Sequence, residues 1–259
     1  MISVVIPSYK EPDYLDLCLK SCLNGLDNEQ EIIVVIDGFY DMHEKVLSKY
    51  PTIKVLNLEQ NRGLSVVTNL GVSHASNEFI LVVNNDNVFP KSWDTNLIPD
   101  LKSGRVLTPN QIEPRPSIFS QFIIENLGTD PNKFDLDSFW NREREISVDK
   151  LELSGSTLPF AMFKNDFLAL GGWDELYPSM HVVDWDFFLR CEYFNFEMVR
   201  TYKSNFYHFA SVSSRATPEQ NKITQEKEFK AQNFYHQKWG IAPYHNSFSN
   251  SKIHPSLKL

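Results

Sequence analysis

The 259-residue sequence has no glycine-rich phosphate loop: neither GxGxxG nor GxxxxGK[ST] occurs in it. That absence removes the usual backbone cradle for a diphosphate and disfavours a Rossmann oxidoreductase. Cysteine is scarce. Cys18, Cys22 and Cys191 make an odd count with no CxxC pair, which excludes a disulfide framework and reads as free, buried or half-buried thiols in a reducing compartment. No segment reaches the run of about 20 apolar residues that a membrane helix requires. No cationic region precedes the opening ISVVI, so neither a secretion signal nor an anchor is expected, and a soluble cytoplasmic protein is the default. Positive charge is also in deficit. A formal charge of −8 argues against a protein that grips nucleic acid through its phosphates, while leaving room for a local nucleotide site.

What is present is an apolar fraction of 42%, enough for a sizeable core, arranged in alternating patterns. Ile2–Ile6, Ile32–Ile36, Val55–Leu58 and Phe79–Val83 read as strands, and Tyr14–Leu26 and Leu64–Ala75 as helices. Ile32–Ile36 has no polar alternation, the signature of a strand buried on both faces of a parallel sheet. Helix-length segments between such strands predict an α/β fold of βαβ units. Residues 105–150, with Pro109, Pro114, Pro116 and Pro131, read as long connections around a short helix at 117–127. A strand at Leu158–Phe163, a helix from Asp184, strands near 197–209, a helix over 217–238 and a polar tail from 244 to 259 complete the prediction. The last helix is open to two readings, packing on the core or a homodimer contact. The sequence offers no clean linker, so one domain is expected.

In open α/β sheets ligands bind beyond the carboxyl ends of the strands. Here the first strand runs into Pro7-Ser8-Tyr9-Lys10, the second into Asp37-Gly38, and the fourth into Asn84-Asn85-Asp86-Asn87. A single strand ending in polar turn residues is ordinary, but three converging ones outline a site. Without a phosphate loop, a bound diphosphate needs another partner for its charge, and a divalent cation on hard oxygen ligands would serve. Asp86 is the one carboxylate in the last cluster. It is equally a residue type for a turn or a helix N-cap.

The segments VVIPSYKEPDYLDLCLKSC (4–22), EIIVVIDG (31–38), NRGLSVVTNLGVSHASNEFILVVNNDN (61–87), ALGGWDELYP (169–178), VDWDFFLRC (183–191) and YHFASVSS (207–214) occur in the order found in family 2 glycosyltransferases. The sequence resembles that family over roughly residues 1–214. The resemblance implies a GT-A fold: a mostly parallel central sheet flanked by helices, with an irregular acceptor-side second half and a C-terminal helix. It divides one domain into a nucleotide-sugar-binding half (1–104), an acceptor-side half (105–214) and a C-terminal helix and tail (215–259). It also implies a nucleotide-sugar donor, most often a UDP-sugar, and an inverting hexosyl- or N-acetylhexosaminyl-transferase. By position, Pro7 and Tyr9 fall where the family lines the base. Asp37 falls where a carboxylate accepts from the uracil N–H, and Arg62 and Gly63 where the chain passes the nucleotide. Asn84 and Asp86 occupy the outer places of the family's DxD metal motif around Asn85. The first aspartate of that motif is replaced, and Asp86 is retained as the ligand for Mn²⁺ or Mg²⁺. His208 falls where many members place a histidine near the diphosphate or on the metal. A histidine between Tyr207 and Phe209 also reads as a packed core residue.

VDWDFFLR holds two candidate bases. Asp186 and Arg190 sit at i and i+4 and are expected to pair. Asp184 points elsewhere, and near a helix N-terminus it is expected to stay ionised and accept a proton from an acceptor hydroxyl. The family pattern also places the base at Asp184, although Val183 replaces the acidic residue that normally precedes it. Capping is the alternative role for Asp184. Trp173, Asp174 and Glu175, in GGWDE, fall on the acceptor side, where Trp173 would either stack on a sugar or pack in the core. A nucleotide-binding protein of the same fold without catalysis is the competing reading, supported by Asn84 and Val183. A nucleotidyltransferase is disfavoured because PSYKEPD is not a glycine-rich basic loop.

Overall fold

Burying Ile32–Ile36 requires cover on both faces of a sheet. A computed structural model, which describes residues 1–116, 121–210 and 217–243, supplies it. The first half alternates strictly: β1 (Ile2–Ser8), α1 (Pro12–Asn24), β2 (Glu31–Asp37), α2 (Tyr40–Leu47), β3 (Lys54–Leu58), α3 (Leu64–Ser73) and β4 (Phe79–Val82). After β5 (Asn87–Val88) and α4 (Trp93–Leu97) come β6 (Arg105–Glu113), β7 (Ile123–Ile124), α5 (Leu136–Ile146) and β8 (Leu151–Leu153). The chain then runs through β9 (Phe160–Phe163), α6 (Lys164–Ala169), α7 (Val183–Tyr193), β10 (Glu197–His208) and α8 (Pro218–Trp239).

Among the described residues the strands form one sheet, in the order β3-β2-β1-β4-β9-β6-β10-β5, with β7 beside β6 and β8 beside β10. The neighbours β3, β2, β1 and β4 are parallel, as are β6 and β10. β9 enters antiparallel between β4 and β6. Alternate side chains of a strand point to opposite faces, and the two faces here hold separate cores. Ile2, Val4, Ile6, Ile32, Val34 and Ile36 meet α1, α2 and α4 through Leu15, Cys18, Val46 and Trp93. Val5, Ile33, Val35, Ile80 and Val82 meet α3, α6, α7 and α8 through Val67, Phe167, Phe187 and Tyr235.

The expectation of irregular chain over 105–150 is corrected. Residues 105–113 form a nine-residue strand inside the sheet, and 136–146 a helix. Proline is disfavoured in a central strand because it donates no ladder hydrogen bond. Pro109 is accommodated by an irregularity in β10 directly opposite, where the register jumps from Thr201 to Asn205. Two buried polar residues of β6 donate to other strands or loops, Asn110 to Asn205 and Gln111 to the Leu158 carbonyl, while Thr108 Oγ1 and Gln111 Oε1 are buried without a partner among the described residues. The predicted helix at 117–127 is also corrected where it can be examined: Ile123–Ile124 is a short strand parallel to β6, and 117–120 lie outside the described residues. The tail, 244–259, lies outside them too.

Helix α8 has its ends fixed by local chemistry. The Thr217 hydroxyl accepts from Gln220 N, Pro218 occupies the first turn, and Gly240 closes the helix in the left-handed conformation. Ala231, Tyr235 and Trp239 bury it against the core. No described helix is long and apolar enough to cross a membrane.

Helix α3 approaches β1 and β2 closely because residue 71 is glycine. A Cβ there would overlap Val5 Cγ1 and lie 3.0 Å from Val35 Cγ2, both on fully buried, branched side chains. Overpacking of this kind costs about 1–3 kcal/mol, against a helix-propensity gain of about 1 kcal/mol. Gly71→Ala is therefore expected to destabilise the protein in urea denaturation. A midpoint at or above that of the unmodified chain would contradict the packing account.

Candidate active site

The carboxyl ends of β1, β2 and β4 are neighbours because the strands are, and each delivers polar groups to the same edge. Asp37 ends β2, almost fully buried. Its Oδ1 accepts from Arg62 N at 2.6 Å, and its Oδ2 from Gly63 N at 3.0 Å and Asn61 Nδ2 at 3.1 Å. The carboxylate thus fixes the 61–63 turn that starts α3. It uses three of about four acceptor positions and keeps one. Gly63 has φ +91° and nothing within 4 Å of where a Cβ would stand, so its backbone borders open space. Pro7 is buried in β1 opposite Val35. Tyr9 is exposed and packs edge-on against exposed Phe39 at 5.4 Å, with Lys10 Nζ over both rings.

The amide-rich cluster divides its work. Asn87 Oδ1 accepts from Asn84 N, and Asn87 Nδ2 donates to the Tyr207 carbonyl, so Asn87 shapes the turn. Asn85 Nδ2 donates to Ser8 Oγ and to the Lys10 carbonyl, joining this loop to the first. Ser8 Oγ in turn lies 3.1 Å from Nε2 of fully buried His43, whose Nδ1 is 3.0 Å from the Phe39 carbonyl. A consistent direction runs through this chain: Asn85 donates to Ser8, the Ser8 hydroxyl to Nε2, and Nδ1–H to the carbonyl. Phe39 has φ +59°, a left-handed conformation that His43 helps hold. Neither His43 nor Phe39 was legible as a site residue, because a histidine within a short helix carries no spacing signal.

Asp86 Oδ1 is 3.4 Å from His208 Nε2, and His208 Nδ1 is 2.8 Å from Glu113 Oε1. His208 is half-buried at the end of β10, bracketed by two carboxylates. Burial works against its charged form, but Asp86 and Glu113 outweigh that and raise its pKa to about 10. Among the described residues no group of three or more His, Cys, Asp or Glu forms a complete metal cage. Asp86 and His208 together present one carboxylate oxygen and one imidazole nitrogen at the sheet edge.

Asp184 lies in the first turn of α7, half-buried. The sequence predicts that the helix N-terminus keeps it ionised, and burial acts against that. Burial raises its pKa to about 6, while the backbone N–H groups of Trp185 and of Asp184 itself pull the other way. The cap position belongs to Val182, whose φ of +55° is a strained conformation for a branched residue, costing about 1–3 kcal/mol. Among the described residues no cation pairs with Asp184. Asp186, by contrast, is fully buried and pairs with Arg190 at 2.9 Å, as the i, i+4 spacing predicts.

Of the two readings of Trp173, the structure adopts the buried one: the indole is 1% exposed and packs with Phe160, leaving no face for a sugar. Asp174 is paired with Lys238 at 2.6 Å, which holds its carboxyl below the usual range against burial. Asn69 of α3 clamps this loop, accepting from Trp173 N and donating to the Trp173 carbonyl and to Glu175 Oε1. Glu175 is exposed and lines a cleft of about 380 Å³ with Asn69, Trp173, Asp174 and Lys238.

The family model for glycosyl transferase family 2 matches residues 3–169, more than half of the chain. The chain belongs to glycosyl transferase family 2. Among curated relatives, the cholesterol galactosyltransferase of Borreliella burgdorferi is 32% identical over 90 residues, which is 33% of this chain and 25% of that enzyme. Among solved structures, GalNAc-T7 with UDP, GalNAc and Mn²⁺ superimposes with a TM-score of 0.62 at 14% identity, covering 80% of this chain and 43% of the neighbour. Residues 1–349 of Staphylococcus aureus TarS with UDP give 0.57 at 17% identity, covering 97% and 75%. The fold of this family 2 chain is therefore the GT-A fold, with its mostly parallel sheet flanked by helices. Asp37, Arg62, Gly63 and Asp86 lie inside the matched segment, whereas Asp184 and His208 lie beyond it.

Removing the Asp37 carboxylate deletes three part-buried hydrogen bonds to a charged group, each contributing about 1.5–3 kcal/mol. Asp37→Ala is expected to lower stability by that order and to speed tryptic cleavage after exposed Arg62. Unchanged stability and cleavage would show that the 61–63 turn is held by something else.

Proposed function

We propose that this chain is an inverting glycosyltransferase that moves a hexose or N-acetylhexosamine from a UDP-sugar to an acceptor hydroxyl, assisted by Mn²⁺ or Mg²⁺. The observation that carries the reading is the pairing of Asp86 with His208, at 3.4 Å, on the same sheet edge as the turn held by Asp37. One carboxylate oxygen and one imidazole nitrogen cannot cage a cation alone, and they fit one shared with a diphosphate. The donor and cation classes follow those in the GalNAc-T7 and TarS structures.

In this mechanism Tyr9, with Pro7 behind it, borders the nucleobase, and the remaining acceptor position of Asp37 receives a base N–H. The backbone at Arg62 and Gly63 passes the diphosphate, and Asn84 and Asn85 border the donor. Asp86 and His208 are the residues that would hold the cation, His208 Nε2 giving up its proton to do so. A divalent cation bound there offsets the charge developing on the departing UDP. Asp184 takes the proton from the acceptor hydroxyl, which attacks the anomeric carbon opposite the leaving group and inverts it. A base with pKa near 6 is matched to work at neutral pH, being largely ionised yet a competent acceptor. Of the GGWDE residues, exposed Glu175 faces the acceptor with the carboxylate oxygen that Asn69 does not hold, since Trp173 is in the core and Asp174 is paired.

Asp184→Asn should lower turnover by about 10²–10⁴-fold, the range for a general base, while UDP still binds. Asp86→Ala should weaken UDP binding in Mn²⁺ by at least about tenfold, the scale of losses at metal sites. Calorimetry and UDP-release assays measure both, and turnover like that of the unmodified chain in both variants would refute the assignment. The base must be deprotonated to act, so its active fraction grows as pH rises through its pKa. The pH profile of turnover should therefore fall on the acid side of about 6. A profile flat from pH 5 to 8 would remove Asp184 from the mechanism.

A further inference from the structure

The family match ends at residue 169, yet the residues holding the base-bearing helix lie beyond it, and two of them belong to the end of α8. Asp186 is 0% exposed. Its Oδ1 accepts from Arg190, while its Oδ2 accepts from Trp239 Nε1 at 2.6 Å and Tyr177 OH at 3.2 Å and forms an ion pair with Lys238 Nζ at 2.7 Å. Lys238 also reaches Asp174 Oδ2 at 2.6 Å. Arg190 donates its other nitrogens to the carbonyls of Leu170 and Gly172. Two carboxylates and two cations thus close a balanced network. It joins the GGWDE loop, the first turns of α7 and the last turn of α8. Phe234 packs edge-on against Tyr177 beside it.

The geometry points to Lys238 and Trp239 as positioning residues for Asp184, which makes α8 part of the catalytic unit. Asp184 stands two residues before Asp186 on the same helix turn. The turn begins at Val182, whose carbonyl accepts from Asp186 N at 3.1 Å and whose left-handed backbone persists only where its surroundings over-determine it. Buried charges that lose a partner move or take on water. Removing the α8 donors from Asp186 therefore frees the start of α7 to relax, and Asp184 moves with it. Neither Lys238 nor Trp239 touches Asp37, Asp86 or His208, so donor binding is left intact. This inference rests on Asp184 being the base.

The test compares Lys238→Gln, Trp239→Phe and Lys238→Arg with the unmodified chain. Trp239→Phe removes the indole N–H together with part of the ring system and keeps an aromatic ring in the core, so it remains informative if Lys238→Gln does not fold. The probes are UDP, titrated by calorimetry in Mn²⁺, and UDP release from UDP-glucose, UDP-galactose and UDP-N-acetylglucosamine with water as acceptor, assayed well below each variant's melting temperature. The expected result is a fall in kcat of about tenfold or more for Lys238→Gln and Trp239→Phe, since small misplacements of a catalytic group act on that scale. The UDP dissociation constant should stay within about twofold, the KM-against-kcat split expected of lost positioning. Lys238→Arg should restore much of kcat, and amide exchange at 182–187 should quicken in the two impaired variants. Folded Lys238→Gln and Trp239→Phe proteins with unchanged kcat, alongside an inactive Asp184→Asn, overturn the positioning role alone. An active Asp184→Asn overturns the base assignment and this inference with it.

Discussion

Cover on both faces of the sheet is the constraint from which the rest follows. Ile32–Ile36 and their neighbours in β1 and β4 are fully or almost fully enclosed, which leaves the strand interiors without room for unpaired polar chemistry. Polar side chains that bind or react are displaced to the strand ends, and since β2, β1 and β4 are parallel and adjacent, those ends lie together. The antiparallel insertion of β9 continues the sheet past β4, and β10 then brings His208 to Asn87 and so to Asp86. The pairing of the two proposed cation ligands is thus a consequence of strand order.

Four aspartates show how local satisfaction sorts one residue type into different roles. Asp37 is nearly saturated by N–H groups of the 61–63 turn and is chiefly a fixed point. Asp186 is saturated by Arg190, Lys238, Trp239 and Tyr177, so it holds helices together and has no capacity for a proton in transit. Asp86 faces an imidazole that a cation could replace as its partner. Asp184 has backbone donors, no cation paired with it among the described residues, and enough burial to raise its affinity for a proton. Asp37 keeps one acceptor position, whereas Asp86 and Asp184, with more capacity left, are the two for which cation binding and proton transfer are proposed.

The alternation of the first half was legible because its apolar runs are local and its helices amphipathic. Strand β6 was not: Pro109 and the polar Thr108, Asn110 and Gln111 read as loop, and what makes them a strand is supplied far along the chain by the break in β10 and by Asn205. Asp37 and Asp86 could be found from their places at strand ends. The Asp186–Arg190 pair could be found from i, i+4 spacing. His43, Glu113 and Lys238 could not, because each acquires its role from a tertiary neighbour that no sequence period announces. Asp174 and Trp173 illustrate the reverse case. Their motif is conspicuous, yet the structure turns one into an ion-pair partner and the other into core.

Strained backbone lies near two of the proposed site aspartates, Asp37 and Asp184. Phe39 and Val182 adopt left-handed conformations without being glycine, each two residues from an aspartate of the site. Such conformations cost about 1–3 kcal/mol and survive only where other contacts hold them. The contacts come from separate networks. His43, with Ser8 and Asn85, holds the carbonyl of Phe39 from the layer of α1 and α2. Asp186, with Arg190, Lys238 and Trp239, holds the turn after Val182 from the layer of α7 and α8. The two share no residue and lie on opposite faces of the sheet, so energetic additivity is expected between them and coupling within each. Substitutions in one network are then expected to leave the stability contribution of the other unchanged.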